Sequence, residues 1–158
     1  MSLDFYLYSQ HEPVDADVEG ARIFVREGGR MVELTRSEWD ERYPDLEPTT
    51  FVAPLAPQDD EGRYLVYHAN ITHNMADMAK SCGLWEPLWR PHENGYERAG
   101  DLVEPIAEGI GRLMEDPDEM QKLNPSNGWG SFDALLEFAR STMAACQVYQ
   151  DAHIKTWV

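Results

Sequence analysis

The hydrophobic period of this chain changes along its length, and that change limits what it can fold into. Leu3, Phe5 and Leu7 alternate with Asp4, Tyr6 and Tyr8, the period of two that marks a half-buried strand. Residues 21–27 and 30–34 flank Gly28-Gly29, a pair that accepts the positive φ angles of a two-residue hairpin turn. Residues 63–69, rich in tyrosine, leucine and valine, read as another strand. From Thr72 onward the spacing turns helical. Met75, Met78, Ala79 and Cys82 stand at i, i+3, i+4 and i+7, one face of a helix capped by Thr72 and ended by Gly83.

Further helices follow the same logic. One starting near Asp101 is expected to bury Leu102, Val103, Ile106, Ile110, Leu113 and Met114, with Pro105 tolerated close to its start. Asp116-Pro117-Asp118-Glu119 joins a cap, a proline at the first helical position and acids at the positive dipole end. Ser131 opens the last long helix, striped by Leu135, Phe138, Ala139, Thr142, Met143 and Cys146, and residues 153–158 form a closing strand. Earlier, Thr35 and Glu38 have capping-box spacing, so a short helix covers residues 36–42 and stops before Pro44. Residues 10–20 read as an acidic loop and 44–62 as an irregular connection. Strands first and helices afterwards predict an α+β fold, a small, mainly antiparallel sheet with three to four helices packed on one face.

At 158 residues the chain reads as one domain with room for a core. No apolar run approaches the roughly 20 residues of a membrane span. Nor does Met1-Ser2-Leu3-Asp4-Phe5 carry the charged region that opens a secretory signal. Cys82 and Cys146 fall on apolar helix faces and are expected as buried free thiols. A cytoplasmic location follows. The net charge of -16 argues against direct binding to nucleic-acid phosphates or an anionic membrane. Residues 1–62 hold 15 acids and 5 arginines, which admits a DNA-mimic inhibitor as one reading. The arginines interrupt any continuous anionic stripe, so solubility and helix capping explain the acids more simply.

The densest group of chemically capable residues runs from Tyr67 to Glu93. His68 and His73 are five apart, and Asp77 lies one helical turn beyond His73, the i, i+4 spacing of some zinc ligands. A third ligand would have to be His92, Glu93 or His153. With neither HExxH nor CxxC present, His73 and Asp77 are only weak metal candidates, and no motif calls for a cofactor. Asn70 and Asn74 are suited to holding the turn through side-chain bonds to backbone. Trp85, Trp89 and Arg90 sit in a proline-stiffened segment that can either cover the core or anchor a partner. Arg90 can grip a carboxylate or phosphate with two parallel bonds. Asn127-Gly128-Trp129-Gly130-Ser131 places glycines at a helix start, where backbone N–H groups meet anions. No nucleophile–histidine–acid set and no nucleotide loop is legible.

Residues 69–75 (Ala-Asn-Ile-Thr-His-Asn-Met), then Leu88-Trp89-Arg90-Pro91, then Asn127-Gly128-Trp129-Gly130 resemble a group of small proteins encoded by bacteriophages and prophages. The resemblance covers roughly residues 63–152 and the Asp4-Phe5-Tyr6-Leu7 strand. His92 departs from the group's pattern, which has an acid after the proline. Shorter members run almost directly from the first strand into the Ala69–Met75 segment, which makes residues 10–60 an acidic insertion with its own hairpin and short helix. The resemblance implies a phage origin and no particular activity. The function expected is a binding protein of the host cytoplasm, with Asn70, His73, Asn74, Trp89, Arg90 and Trp129 as its recognition residues. Its partner would be a host protein or a small anionic ligand. The alternatives are a small metal-assisted hydrolase of an anionic substrate and the DNA mimic.

Overall fold

The computed structural model describes residues 1–11, 21–48, 50–52 and 58–158. The chain divides into two compact units, one of Met1–His11 with Gln58–Val158 and one of Glu12–Pro57. The fold is α+β, with antiparallel sheets and six α-helices among the described residues.

The larger unit is built on strand β1 (Ser2–Ser9), which pairs antiparallel with a strand on each side. Residues along β1 alternate between buried and half-buried as their sequence does, and Leu3, Phe5 and Leu7 are fully buried. The helices of this unit pack on that inward face.

The second unit contains β2 (Ala21–Glu27) and β3 (Arg30–Leu34), joined through Gly28 and Gly29 at φ 56° and 79°. Helix α1 (Arg36–Arg42) starts with the reciprocal Thr35–Glu38 capping box, and Tyr43 closes it on the Trp39 carbonyl. The indole N–H of Trp39 donates to the Leu46 carbonyl at 2.7 Å, which holds the turn after α1. The expected irregular connection includes strand β4 (Thr50–Val52), paired with β2. The acidic loop expected at 10–20 lies outside the described residues from residue 12 on, as does part of the connection at 44–62.

Returning to the larger unit, β5 (Tyr64–Thr72) pairs with β1 and runs three residues past the end read from the sequence. Leu7 faces Tyr67 and Tyr8 faces Leu65, so Val66 is an extra residue that bulges the ladder. Thr72 ends β5 and accepts a bond from the Asn74 N–H. A 3-10 turn at His73–Met75 then leads into α2 (Ala76–Cys82), closed by Gly83 in the left-handed conformation.

Helix α3 (Trp85–Trp89), like β4, is an element that sequence pattern did not reveal. Five residues are too few to show a period, and Pro87 falls in the first turn, where a missing N–H is harmless. Helix α4 (Ala99–Glu115) begins two residues earlier than expected. Its first N–H groups, of Ala99 and Gly100, bond the carbonyls of Ala152 and Gln150. Pro105 therefore lies almost two turns inside the helix and not close to its start, one turn beyond the exposed residue Asp101 whose carbonyl its missing N–H leaves unbonded. The apolar stripe of α4 is narrower than expected. Leu102, Ile106 and Leu113 are fully buried, whereas Val103 and Ile110 are half-buried and Met114 is exposed.

Asp116 caps α5 (Pro117–Gln121) through the Glu119 N–H, and Ser131 caps α6 (Phe132–Val148) through the Ala134 N–H. Strand β6 (His153–Trp157) completes the sheet in the order β5-β1-β6. Tyr67 reaches from β5 to α6, its hydroxyl 3.1 Å from the hydroxyl of the fully buried Thr142. Cys82 and Cys146 are free and buried, and burial pushes the Cys146 thiol up to about 12.

Two glycines of α4 differ in what surrounds them. A Cβ at Gly109 would stand 2.5 Å from Leu84 Cδ2, whereas one at Gly111 would meet nothing within 4 Å. Alanine gains up to about 1 kcal/mol over glycine in a helix interior, but overpacking a core costs about 1–3 kcal/mol. Urea denaturation is therefore expected to find Gly109→Ala less stable than the parent and Gly111→Ala slightly more stable.

Candidate functional site

The recognition residues expected from the sequence fall in three places. Asn70 lies in β5, on the outward face of the sheet, and its amide donates to Asp4 Oδ1 at 2.8 Å. It is thus a cross-strand partner of β1 and not a residue of the turn.

His73 and Asn74 occupy the 3-10 turn. The His73 N–H donates to the Met1 carbonyl at 3.1 Å, and its ring meets Trp85 edge-on with centroids 5.7 Å apart. The Asn74 amide donates to the Trp129 carbonyl at 3.3 Å, so this asparagine does hold backbone, although in a distant loop. Trp129 itself is 72% exposed.

Trp89 belongs to the core. It is 1% exposed and stacks on Trp85 with centroids 5.2 Å apart, next to Phe138. Its indole N–H and Nδ1 of His73 are buried without a hydrogen-bond partner, so this part of the core has polar atoms that packing alone does not satisfy. Trp89 cannot present an accessible ring to a partner in this conformation. Arg90 follows at the end of α3 and pairs with Glu93 at 2.9 Å. An anionic ligand there would meet the charge of the glutamate beside the guanidinium. Residues 89–93, with Thr156 and Val158, line an open groove of about 290 Å³.

The histidine and acid spacing does not assemble in space. His92 Nε2 lies 3.0 Å from the Ile154 carbonyl, Glu93 pairs with Arg90, and His153 meets the Arg98 guanidinium. Asp77 is exposed. Among the described residues no group of three or more His, Cys, Asp or Glu side chains is placed to hold a metal ion. The glycine-flanked start of α6 is likewise already satisfied. Asn127 Oδ1 accepts the Trp129 N–H, Asn124 Oδ1 the Phe132 N–H and Ser131 Oγ the Ala134 N–H. Gly130, at φ 107°, is explained by closeness: a Cβ there would stand 2.4 Å from Met75 Sδ. The 3-10 turn and the loop before α6 are packed against each other.

What the sequence reading passed over is the outward face of β5-β1-β6. The register sets Asp4 beside Asn70 and Trp157, Tyr6 beside His68 and Lys155, and Tyr8 beside His153. Tyr6 and His68 stack nearly parallel, 10° apart with centroids at 4.5 Å, and Tyr8 lies 6.3 Å further along. Lys155 Nζ lies 5.5 Å from the Trp157 ring and 6.0 Å from that of Tyr8. Trp157 is 60% exposed. The signal was present in β1, where the outward positions carry tyrosines in place of ordinary polar residues. Its neighbours could not be named without the register.

Asp4 is the fixed charge of this face. Bonds from the Asn70 amide and from His68 Nε2, at 3.2 Å, hold its carboxyl below the ordinary carboxylate value. Comparison with known protein families, with curated proteins and with solved structures returns no match for the chain.

A carboxyl depressed in the folded state stabilises the fold above its unfolded value, and that contribution disappears as pH falls through the folded value. Because Asn70 is the larger cause, Asn70→Ala is expected to raise the Asp4 midpoint toward the ordinary value near 3.8. A carboxyl-carbon NMR titration of Asp4 checks this. An unchanged midpoint would assign the depression to another group.

Proposed function

We propose that this chain is a non-enzymatic binding protein of bacteriophage type, acting in the host cytoplasm through contacts with another protein. The observation that carries the reading is the outward sheet face. It puts Tyr6, Tyr8, His68 and Trp157 together on a rigid three-stranded support. Tyrosine and tryptophan are enriched at protein interfaces because they offer a large contact area with little rotamer entropy to lose. Asn70 belongs to this face. Trp129, exposed beside the Asn74 turn, gives the larger unit another ring for contact. His73 and Trp89 act from below by fixing the turn and the core that support these groups.

The test is a pull-down from host lysate with the parent chain, Trp157→Ala and Trp129→Ala, alongside thermal melts. Truncating exposed side chains away from the core usually changes stability by no more than about 0.5 kcal/mol, so cooperative melting is expected to persist. Loss of a reproducible partner in Trp157→Ala, with the melt intact, supports the sheet face. Retention of every partner by both variants would show that recognition lies elsewhere.

A further inference from the structure

Resting on the binding reading above, we infer that the outward face of β5-β1-β6 takes a cationic segment of its protein partner, with arginine or lysine side chains seated between Trp157 and Tyr8 beside Asp4.

Three observations lead there. First, the face already holds a cation. Lys155 Nζ lies within 6.0 Å of both the Tyr8 and Trp157 ring centroids, the range in which a ring's negative face attracts an ammonium or guanidinium. This lysine is exposed and on a flexible stem, so it can swing into water and leave the seat to an incoming group. Arginine suits the seat better, since its flat, weakly hydrated guanidinium stacks on indole and phenol rings. Second, Asp4 stands directly across from Trp157 in the register, and its two cross-strand partners fix its position. A guanidinium over the Trp157 ring therefore has a carboxylate beside it. Third, the chain carries 29 acids against 13 lysines and arginines, a field that draws basic partners and slows acidic ones.

The same facts rank the competing occupants. Stacked rings on an open sheet also suit single-stranded nucleic acid, but that use needs a basic groove for the phosphates. Here Asp4 opposes Lys155, and the other cations near the face are already engaged, Arg98 with His153 and the Asp151 carbonyl and Arg63 with Asp59. A purely apolar partner would have to desolvate both charges without replacing what they lose.

The test is fluorescence anisotropy of a labelled arginine–serine repeat peptide titrated with the full chain. Three labelled controls accompany it: a glutamate–serine peptide, an uncharged tyrosine–serine–leucine peptide and an oligothymidylate. Only the arginine peptide is expected to bind, more weakly as salt is raised. Trp157→Ala and Asp4→Asn are each expected to weaken binding roughly three- to tenfold. Glu137→Gln, an exposed acid on α6, is expected to change it by less than about twofold, in line with a screened distant charge.

The discriminating variant is Lys155→Ala. Vacating the seat tightens binding of a cationic segment and weakens binding of a phosphate backbone. Weakening by Lys155→Ala, with oligothymidylate as the better ligand, overturns the inference in favour of nucleic acid. Equal effects of Glu137→Gln and Asp4→Asn overturn it in favour of diffuse acidity. Should the uncharged peptide bind best and lose affinity in Trp157→Ala, the face is still a binding surface but not one for cations. Failure of the arginine peptide to bind at all overturns the cationic assignment, while the pull-down separately reports on binding itself. Melts of Trp157→Ala, whose ring is exposed, keep the result independent of any folding defect in Asp4→Asn.

Discussion

The larger unit depends on the two-sidedness of β1. This strand is the middle of its sheet, paired along both edges, so its backbone hydrogen bonds are taken up by neighbours and its side chains have only two directions available. The inward set, Leu3, Phe5 and Leu7, is fully buried and receives α2, α3, α4 and α6. Full burial of a large apolar side chain is worth about 1.5–3 kcal/mol each, so these three residues fix the orientation of the strand. A slip by one residue would expose all of them and bury Asp4. The outward set inherits its position from that constraint. Asp4, Tyr6 and Tyr8 make up the centre of the candidate surface because their alternate neighbours make up the centre of the core.

A second constraint ties distant parts of the unit together. Gly130 lies against Met75, and the Asn74 amide reaches the Trp129 carbonyl. The turn after β5 and the loop before α6 are therefore locked face to face. This explains why a helix start rich in glycine needs no anion. The glycine serves close approach, and the first N–H groups of α6 find Asn124 and Ser131.

The polar and aromatic richness of residues 67–93 has several causes. His68 and Asn70 serve the sheet face, Asn74 serves a loop contact, and Trp85 and Trp89 build the core over which His73 lies. Arg90 and Glu93 satisfy each other. Proximity in sequence suggested one site, but a strand, a turn and a short helix send neighbouring side chains to different sides of the molecule.

Local chemistry by itself determined much of the architecture. The alternation in β1, the Gly28-Gly29 hairpin, the Thr35–Glu38 box, the Asp116 and Ser131 caps and the α+β class all rest on interactions within a few residues, which sequence displays directly. Helix α3 was hidden by its brevity, and the early start of α4 by bonds to residues 150 and 152 that no local pattern announces. The surface was hidden for the same reason. Tyr6 stacks on His68, and Asp4 meets Asn70 and Trp157, across separations of more than sixty residues. Only the strand register, set by burying Leu3, Phe5 and Leu7 against the helices, decides which side chains share a face.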